Sequence, residues 1–145
     1  MTLSISGTDL KKLKKQLRKT TLVYLALSAT AIAVDLIYGI FGHDVHSAAM
    51  TWMFLYPLIG GTLFYTLVNI FVPHIVGLKT YRMFYNSYNS GIAALTIGSF
   101  LKGILEIAGA SSQYVQYFYI AGSLLSTFGL LILLKYAAKQ RKAHA

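Results

Sequence analysis

Apolar residues gather in four runs along the chain. The first, residues 21–41, reads TLVYLALSATAIAVDLIYGIF and carries one charge, Asp35. The second, residues 48–71, has Trp52 near its start, PLIGG in its middle and Pro73 just beyond its end. The third, residues 90–108, contains Lys102 and Glu106, and the fourth, residues 114–134, is uncharged. About 20 mostly apolar residues suffice for a helix to cross the ~30 Å hydrocarbon layer of a bilayer. The expected fold is all-α: an antiparallel four-transmembrane-helix bundle, with residues 1–145 forming a single membrane domain.

Between the runs the pattern changes. In residues 1–19, Leu10, Leu13 and Leu17 recur at helical spacing while Lys11, Lys12, Lys14, Lys15, Arg18 and Lys19 fill the other faces. This reads as a basic amphipathic helix lying on an anionic leaflet. Each basic residue there contributes ~1 kcal/mol of attraction to anionic headgroups. GHDVHS (residues 42–47) and GASSQ (109–113) are short connections. In residues 74–89, Leu78, Tyr81, Tyr85 and Tyr88 are spaced to line one side of a short interfacial helix. The basic start, the apolar stretch and AIA at Ala31–Ala33 also mimic a cleaved signal peptide. The apolar run continues well past AIA, which favours a retained span.

Composition supports the membrane reading. The chain is 56% hydrophobic and 12% charged, with a mean hydropathy of +0.59; soluble domains carry about 25% charged residues. With no cysteine, disulfides, Cys-ligated zinc, iron–sulfur clusters and thiol catalysis are excluded. The net charge of +9 would point to nucleic acid in a soluble protein, but its distribution points to topology. Of the thirteen basic residues, six precede the first run, Lys79 and Arg82 lie between the second and third, and Lys135, Lys139, Arg141 and Lys142 follow the fourth. All twelve fall on one side of a four-span arrangement. By the positive-inside rule both termini are cytoplasmic. No nucleic-acid partner is expected. Lys102 is the exception, inside a span.

The candidate chemistry lies toward the opposite side. Asp35 and Lys102 each sit about two turns, ~10 Å, from the outer end of their spans. Glu106 is one turn above Lys102 on the same face. A lysine and an aspartate at equal depth on neighbouring helices keep each other ionised, so an Asp35–Lys102 pair is expected. One reading makes Asp35, Lys102 and Glu106 a buried knot that fixes helix register. The other makes them, with Tyr56, Gln116 and Tyr117, a pocket for a small ligand, an ion or a lipid headgroup. The two are compatible. No cofactor is expected; the one alternative is a divalent metal, for which His43, Asp44 and His46 offer suitable N and O ligands. Nucleophilic catalysis has no supporting motif.

Tyrosines and the single tryptophan cluster near the ends of the runs. Trp52, Tyr114, Tyr117 and Tyr119 fit an outer aromatic belt, and Tyr81, Tyr85, Tyr88 and Tyr136 an inner one. The pairs Ala29/Ala33, Ala94/Gly98 and Gly122/Ser126 are spaced for close helix packing.

Taken together, FGHDVHSAAM, PLIGG and SGIAALTIGSFLKGILEIAGASS resemble a group of small four-span integral membrane proteins of Gram-positive bacteria. The resemblance implies a bacterial plasma-membrane location and carries no activity. The function expected is that of a non-enzymatic accessory or ligand/ion-binding membrane component. It would be embedded in the lipid bilayer, alone, as a homodimer or in a larger membrane complex. The alternatives are a small proton- or ion-coupled transporter working as a homodimer, and a membrane enzyme or redox partner using the outer His/Asp cluster.

Overall fold

A computed structural model of the chain describes residues 7–41, 45–71 and 79–144, with side chains over 11–41, 45–71 and 81–138. Five α-helices and one π-helical segment make up the four crossings: α1 (Gly7–Phe41), α2 (Ala48–Thr51), the π segment (Tyr56–Leu63), α3 (Phe64–Phe71), α4 (Lys79–Ile107) and α5 (Val115–His144). No strand occurs among the described residues. Four stretches, Lys11–Phe41, Ala48–Phe71, Tyr81–Ile107 and Val115–Ala138, are long and apolar enough to cross a membrane. The protein is a multi-pass, all-α membrane bundle. One end carries the start of α1, the end of α3, the start of α4 and the end of α5, and is called here the termini end. The other, carrying the end of α1, α2, the end of α4 and the start of α5, is the hairpin end.

The helices are amphipathic in the inverted sense that a bilayer requires. On α1 the buried positions Leu17, Thr20, Tyr24, Ser28 and Ala31 recur every three or four residues. Leu22, Leu25, Leu36 and Ile40 on the other faces are about half exposed or more. Leucine loses nothing against lipid tails, whereas small and polar side chains let helices approach and bond. The hydroxyls on these helices are mostly satisfied locally: Ser28 Oγ donates to the Tyr24 carbonyl at 2.8 Å, and Thr96 Oγ1 to that of Ile92 at 2.8 Å.

Two expected breaks are absent. α1 runs for 35 residues, about 52 Å at 1.5 Å per residue, so the basic segment is the first part of the spanning helix, not a separate element on the surface. No glycine or proline falls between Leu10 and Tyr38, and Thr20 and Thr21 donate to the carbonyls of Gln16 and Leu17. Nothing there interrupts the helix. Leu17 is fully buried, which docks this part of α1 on the bundle, while Lys11, Lys12, Lys14, Lys15, Arg18 and Lys19 are exposed. Likewise the interfacial helix expected before the third span is the opening of α4, which continues through Ser90 and Gly91 to Ile107.

The second crossing is irregular instead. α2 is a single turn capped by Ser47, residues 52–54 form a turn, and the chain re-enters helix as a π segment with Pro57 near its start and Gly60–Gly61 in its body. Proline has no N–H to leave unpaired in a first turn. Beyond Phe64 the helix is regular.

Packing follows chain order: α1 lies against the second crossing, that crossing against α4, and α4 against α5. The α4–α5 seam brings backbones together at Gly91, where an added Cβ would sit 2.5 Å from the Ser126 nitrogen and 2.8 Å from the Gly122 carbonyl oxygen. Gly122 and Ser126 thus serve close packing, whereas Ala29 and Ala33 are exposed.

The densest core lies in the termini half. Tyr65, Phe84 and Leu17 are fully buried there, joined by Tyr24, Tyr81 and Tyr88. Tyr24 stacks on Tyr65 with ring centroids 5.7 Å apart, and Phe64 on Tyr88 at 4.3 Å. Tyr81, Tyr85 and Tyr88 are therefore core residues, not an interfacial belt. Their hydroxyls need partners. Tyr24 and Tyr65 both donate to Asn89 Oδ1 at 2.7 Å, and Tyr88 donates to the Gly60 carbonyl at 2.8 Å. That carbonyl belongs to the π segment, so an irregular stretch and a buried tyrosine satisfy each other.

Candidate functional site

The hairpin end is built around the last two turns of α4. Gly109, with φ +66°, ends this helix. The Ala110 amide donates to the Leu105 carbonyl at 2.8 Å and the Gly109 amide to that of Glu106 at 3.2 Å. This is a Schellman cap, for which glycine is favoured at the left-handed position. The cap places Glu106 in the final turn, where the helix dipole disfavours a carboxylate. Two neighbours offset this. Lys102 Nζ lies 3.7 Å from Glu106 Oε1, and the Ser47 hydroxyl donates to Glu106 Oε2.

Ser47 is positioned by the start of the second crossing. Its backbone is extended, at φ −110° and ψ 123°, and its oxygen accepts from the Met50 amide at 3.3 Å. One hydroxyl therefore caps α2 and holds Glu106. α2 is pressed onto α4 at Gly103, where an added Cβ would come within 2.6 Å of Met50 Cβ. Because α2 ends after one turn, the Met53 amide bonds to Met50 rather than to Ala49. Ser99 Oγ donates instead to the Ala49 carbonyl, at 2.7 Å.

Two open clefts flank the Lys102–Glu106 pair. One, of ≈ 530 Å³, is lined by Ala48, Ala49, Trp52, Leu55, Tyr56, Ser99 and Tyr119 together with the pair. The other, of ≈ 310 Å³, adds residues of the α4–α5 connection and the start of α5, among them Ser111, Ser112, Gln113 and Gln116. Lys102, Glu106 and Tyr119 border both. The pair is well exposed, at 52% for Lys102 and 41% for Glu106, so it borders the clefts and is not a buried knot.

The structure brings Lys102, Glu106, Tyr56 and Gln116 to one site and leaves Asp35 and Tyr117 out of its lining. The expected Asp35–Lys102 pair does not form: Asp35 Oδ1 accepts from Thr51 Oγ1 at 3.2 Å, and Lys102–Glu106 is the one ion pair among the described residues. The reason is helix adjacency. Asp35 continues the inward stripe of α1, which packs mainly on the second crossing and meets α4 elsewhere, through Tyr24–Asn89 and Tyr38–Phe100. Tyr117 is exposed, with its ring near that of Tyr114 at 6.4 Å.

Of the proposed metal ligands, His43 and Asp44 lie outside the described residues. His46 is exposed, with its ring beside Gly39. Among the described residues no group of three His, Asp or Glu side chains is placed to hold a metal ion.

Sequence reasoning missed Ser99, and placed Ser47 only in the outer connection and Tyr119 only in the outer aromatic belt. Two signals were available. Ser47 immediately precedes an apolar run, as a helix N-cap does. Ser99, Lys102 and Glu106 are spaced at three and four along one face of a helix. It also missed the Tyr24–Asn89–Tyr65 network in the other half. No protein-family model, curated protein or solved structure matches the chain.

Proposed function

We propose that the protein is a non-enzymatic component of a bacterial plasma membrane that binds a small ligand or ion in the cleft around Lys102 and Glu106. It acts alone or as an accessory subunit of a larger membrane complex. The observation that carries this reading is the exposure of that pair between two clefts, on a helix long and apolar enough to span the membrane. An ionisable group in such a place is costly and marks function by default. In this reading the termini end faces the cytoplasm. Twelve basic residues belong to that side of the chain, and Lys11, Lys12, Lys14, Lys15, Arg18 and Lys19 meet anionic headgroups there. The cleft then opens outward.

Orientation is testable directly, because the chain has no cysteine of its own. An impermeant thiol reagent on intact cells should label Gln113→Cys and spare Gln16→Cys; the reverse pattern sinks the outward cleft. Function is tested by neutralisation. Glu106→Gln should fold and express nearly as the parent does. Collapse of expression would instead return the pair to a structural role.

The broken second crossing supports a second reading, a small homodimeric transporter coupled to protons or ions. Discontinuous spanning helices line the substrate sites of many transporters. Asp35 or Glu106 would be the coupling group. Proton-dependent flux in liposomes, lost in Asp35→Asn or Glu106→Gln, is its signature; absence of flux in sealed, correctly oriented vesicles rejects it.

A further inference from the structure

The clefts on the two sides of Lys102 and Glu106 differ in chemistry. The larger is walled by Trp52 and Tyr56, and by Tyr119, which it shares with the smaller; aromatic ring faces attract a cation. The smaller is walled by Ser111, Ser112, Gln113 and Gln116, hydroxyl and amide groups able to donate hydrogen bonds to an anionic oxygen. The pair between them is not saturated. At 3.7 Å the Lys102–Glu106 contact is longer than a direct N–H···O bond, so the ammonium keeps donors to offer. Glu106 meets Lys102 on one oxygen and Ser47 on the other, and a carboxylate has about four acceptor positions.

A pair of opposite charges discriminates against ligands of one sign: a simple anion drawn to Lys102 is repelled by Glu106, and a simple cation the reverse. A ligand carrying both charges escapes that conflict. We propose that the cleft binds a zwitterion that joins an ammonium to an anionic phosphate ester. The ammonium lies against Glu106 on the aromatic side, and the anionic oxygens lie against Lys102 on the hydroxyl and amide side. This rests on the reading of the cleft as a ligand site. The same chemistry is offered by a phosphoethanolamine lipid headgroup and by its water-soluble glycerol ester.

The single tryptophan of the chain, Trp52, lines the cleft and is exposed, so its emission reports occupancy. The full chain in a neutral detergent is titrated with short-chain phosphatidylethanolamine, with matched phosphatidylglycerol and with glycerophosphoethanolamine. Phosphatidylethanolamine should bind about tenfold more tightly than phosphatidylglycerol, since one charge-assisted contact is gained. Glu106→Gln, checked for helix content, should remove the preference. If Glu106→Gln fails to fold, Tyr56→Leu, at a residue that lines the larger cleft alone, makes the same test, with the preference weakened. Equal binding of glycerophosphoethanolamine and of the lipid identifies a soluble ligand; binding of the lipid alone identifies a headgroup. Either supports the proposal. A Trp52 response that is equal for both lipids overturns the zwitterion but leaves a ligand site. A preference unchanged in the variant also overturns it. No response to any of the three overturns the ligand site as well.

Discussion

In the termini half of the bundle, Leu17, Tyr65 and Phe84 are fully buried, and tyrosine hydroxyls from α1 and α3 meet on one asparagine of α4. In the hairpin half, the charged pair of α4 is about half exposed beside a crossing that begins as a single turn. Both halves place polar atoms within spanning helices. In one the Tyr24, Tyr65 and Tyr88 hydroxyls are enclosed by rings and hydrogen-bonded, while that of Tyr81 is buried without a hydrogen-bond partner among the described residues; in the other the polar atoms face open clefts. Polar groups in a membrane protein thus divide by exposure into those that hold helices together and those left available to something else. Charge follows the same division here: the enclosed network is made of neutral side chains, and the exposed pair is ionic.

Substitutions can break that contrast, and the largest effect should come from the enclosed half. Tyr65→Ala removes a fully buried ring that packs against several others, and cavity-forming changes of this kind cost about 3–5 kcal/mol. Denaturation in mixed micelles should show this loss; a variant as stable as the parent would mean that the aromatic core is not the stabilising half. Asn89→Leu comes next. It leaves the Tyr24 and Tyr65 hydroxyls without their acceptor, and hydrogen bonds between membrane helices average only ~0.6 kcal/mol each, up to about 1.7. A total of about 1–2 kcal/mol is expected. Tyr24→Phe should then cost little further in the Asn89→Leu background, whereas an unchanged cost would show that the two do not act through their bond.

In the open half, Lys102→Met should shift stability by less than about 1 kcal/mol, because exposed ion pairs contribute little. A loss of the size expected for Tyr65→Ala would erase the contrast between the halves. The smallest effect sharpens the site itself. Asp35→Asn keeps an oxygen for Thr51, and Asp35 and Lys102 have different partners. Their double variant should therefore be additive within about 0.3–0.5 kcal/mol; a rescue of one by the other would restore a direct pair.

The crossings were legible in the sequence because length and apolarity alone determine whether a segment spans a bilayer. Lys102 and Glu106 were legible because a charge within a span stands out against apolar neighbours. Rotation and adjacency were not. Asp35 and Lys102 match in depth, but depth does not say which neighbour Asp35 faces, and Asp35 bonds to Thr51 of the second crossing. Tyr81, Tyr85 and Tyr88 resembled a belt because tyrosine is common at interfaces. Their spacing, extended by Ile92, was the better guide, since it continues the buried stripe of α4. The π segment had only PLIGG as a cue, and proline followed by glycines signals irregularity without specifying its kind.

That irregular crossing has a mechanical consequence. Of the side-chain hydrogen bonds described above between different helices, all but Tyr24–Asn89 fasten to the second crossing or its cap: Asp35–Thr51, Glu106–Ser47, Ser99–Ala49, Tyr65–Asn89 and Tyr88–Gly60. Removing one residue of register from a helix turns everything beyond it by about 100°. Were the π segment to tighten into a regular α-helix, the three fastenings at the hairpin end would be carried out of reach together, and Tyr56 and Trp52 would swing with them. The least regular helix is thus the keystone: the shape of the cleft is set from below, by a backbone register held at Gly60.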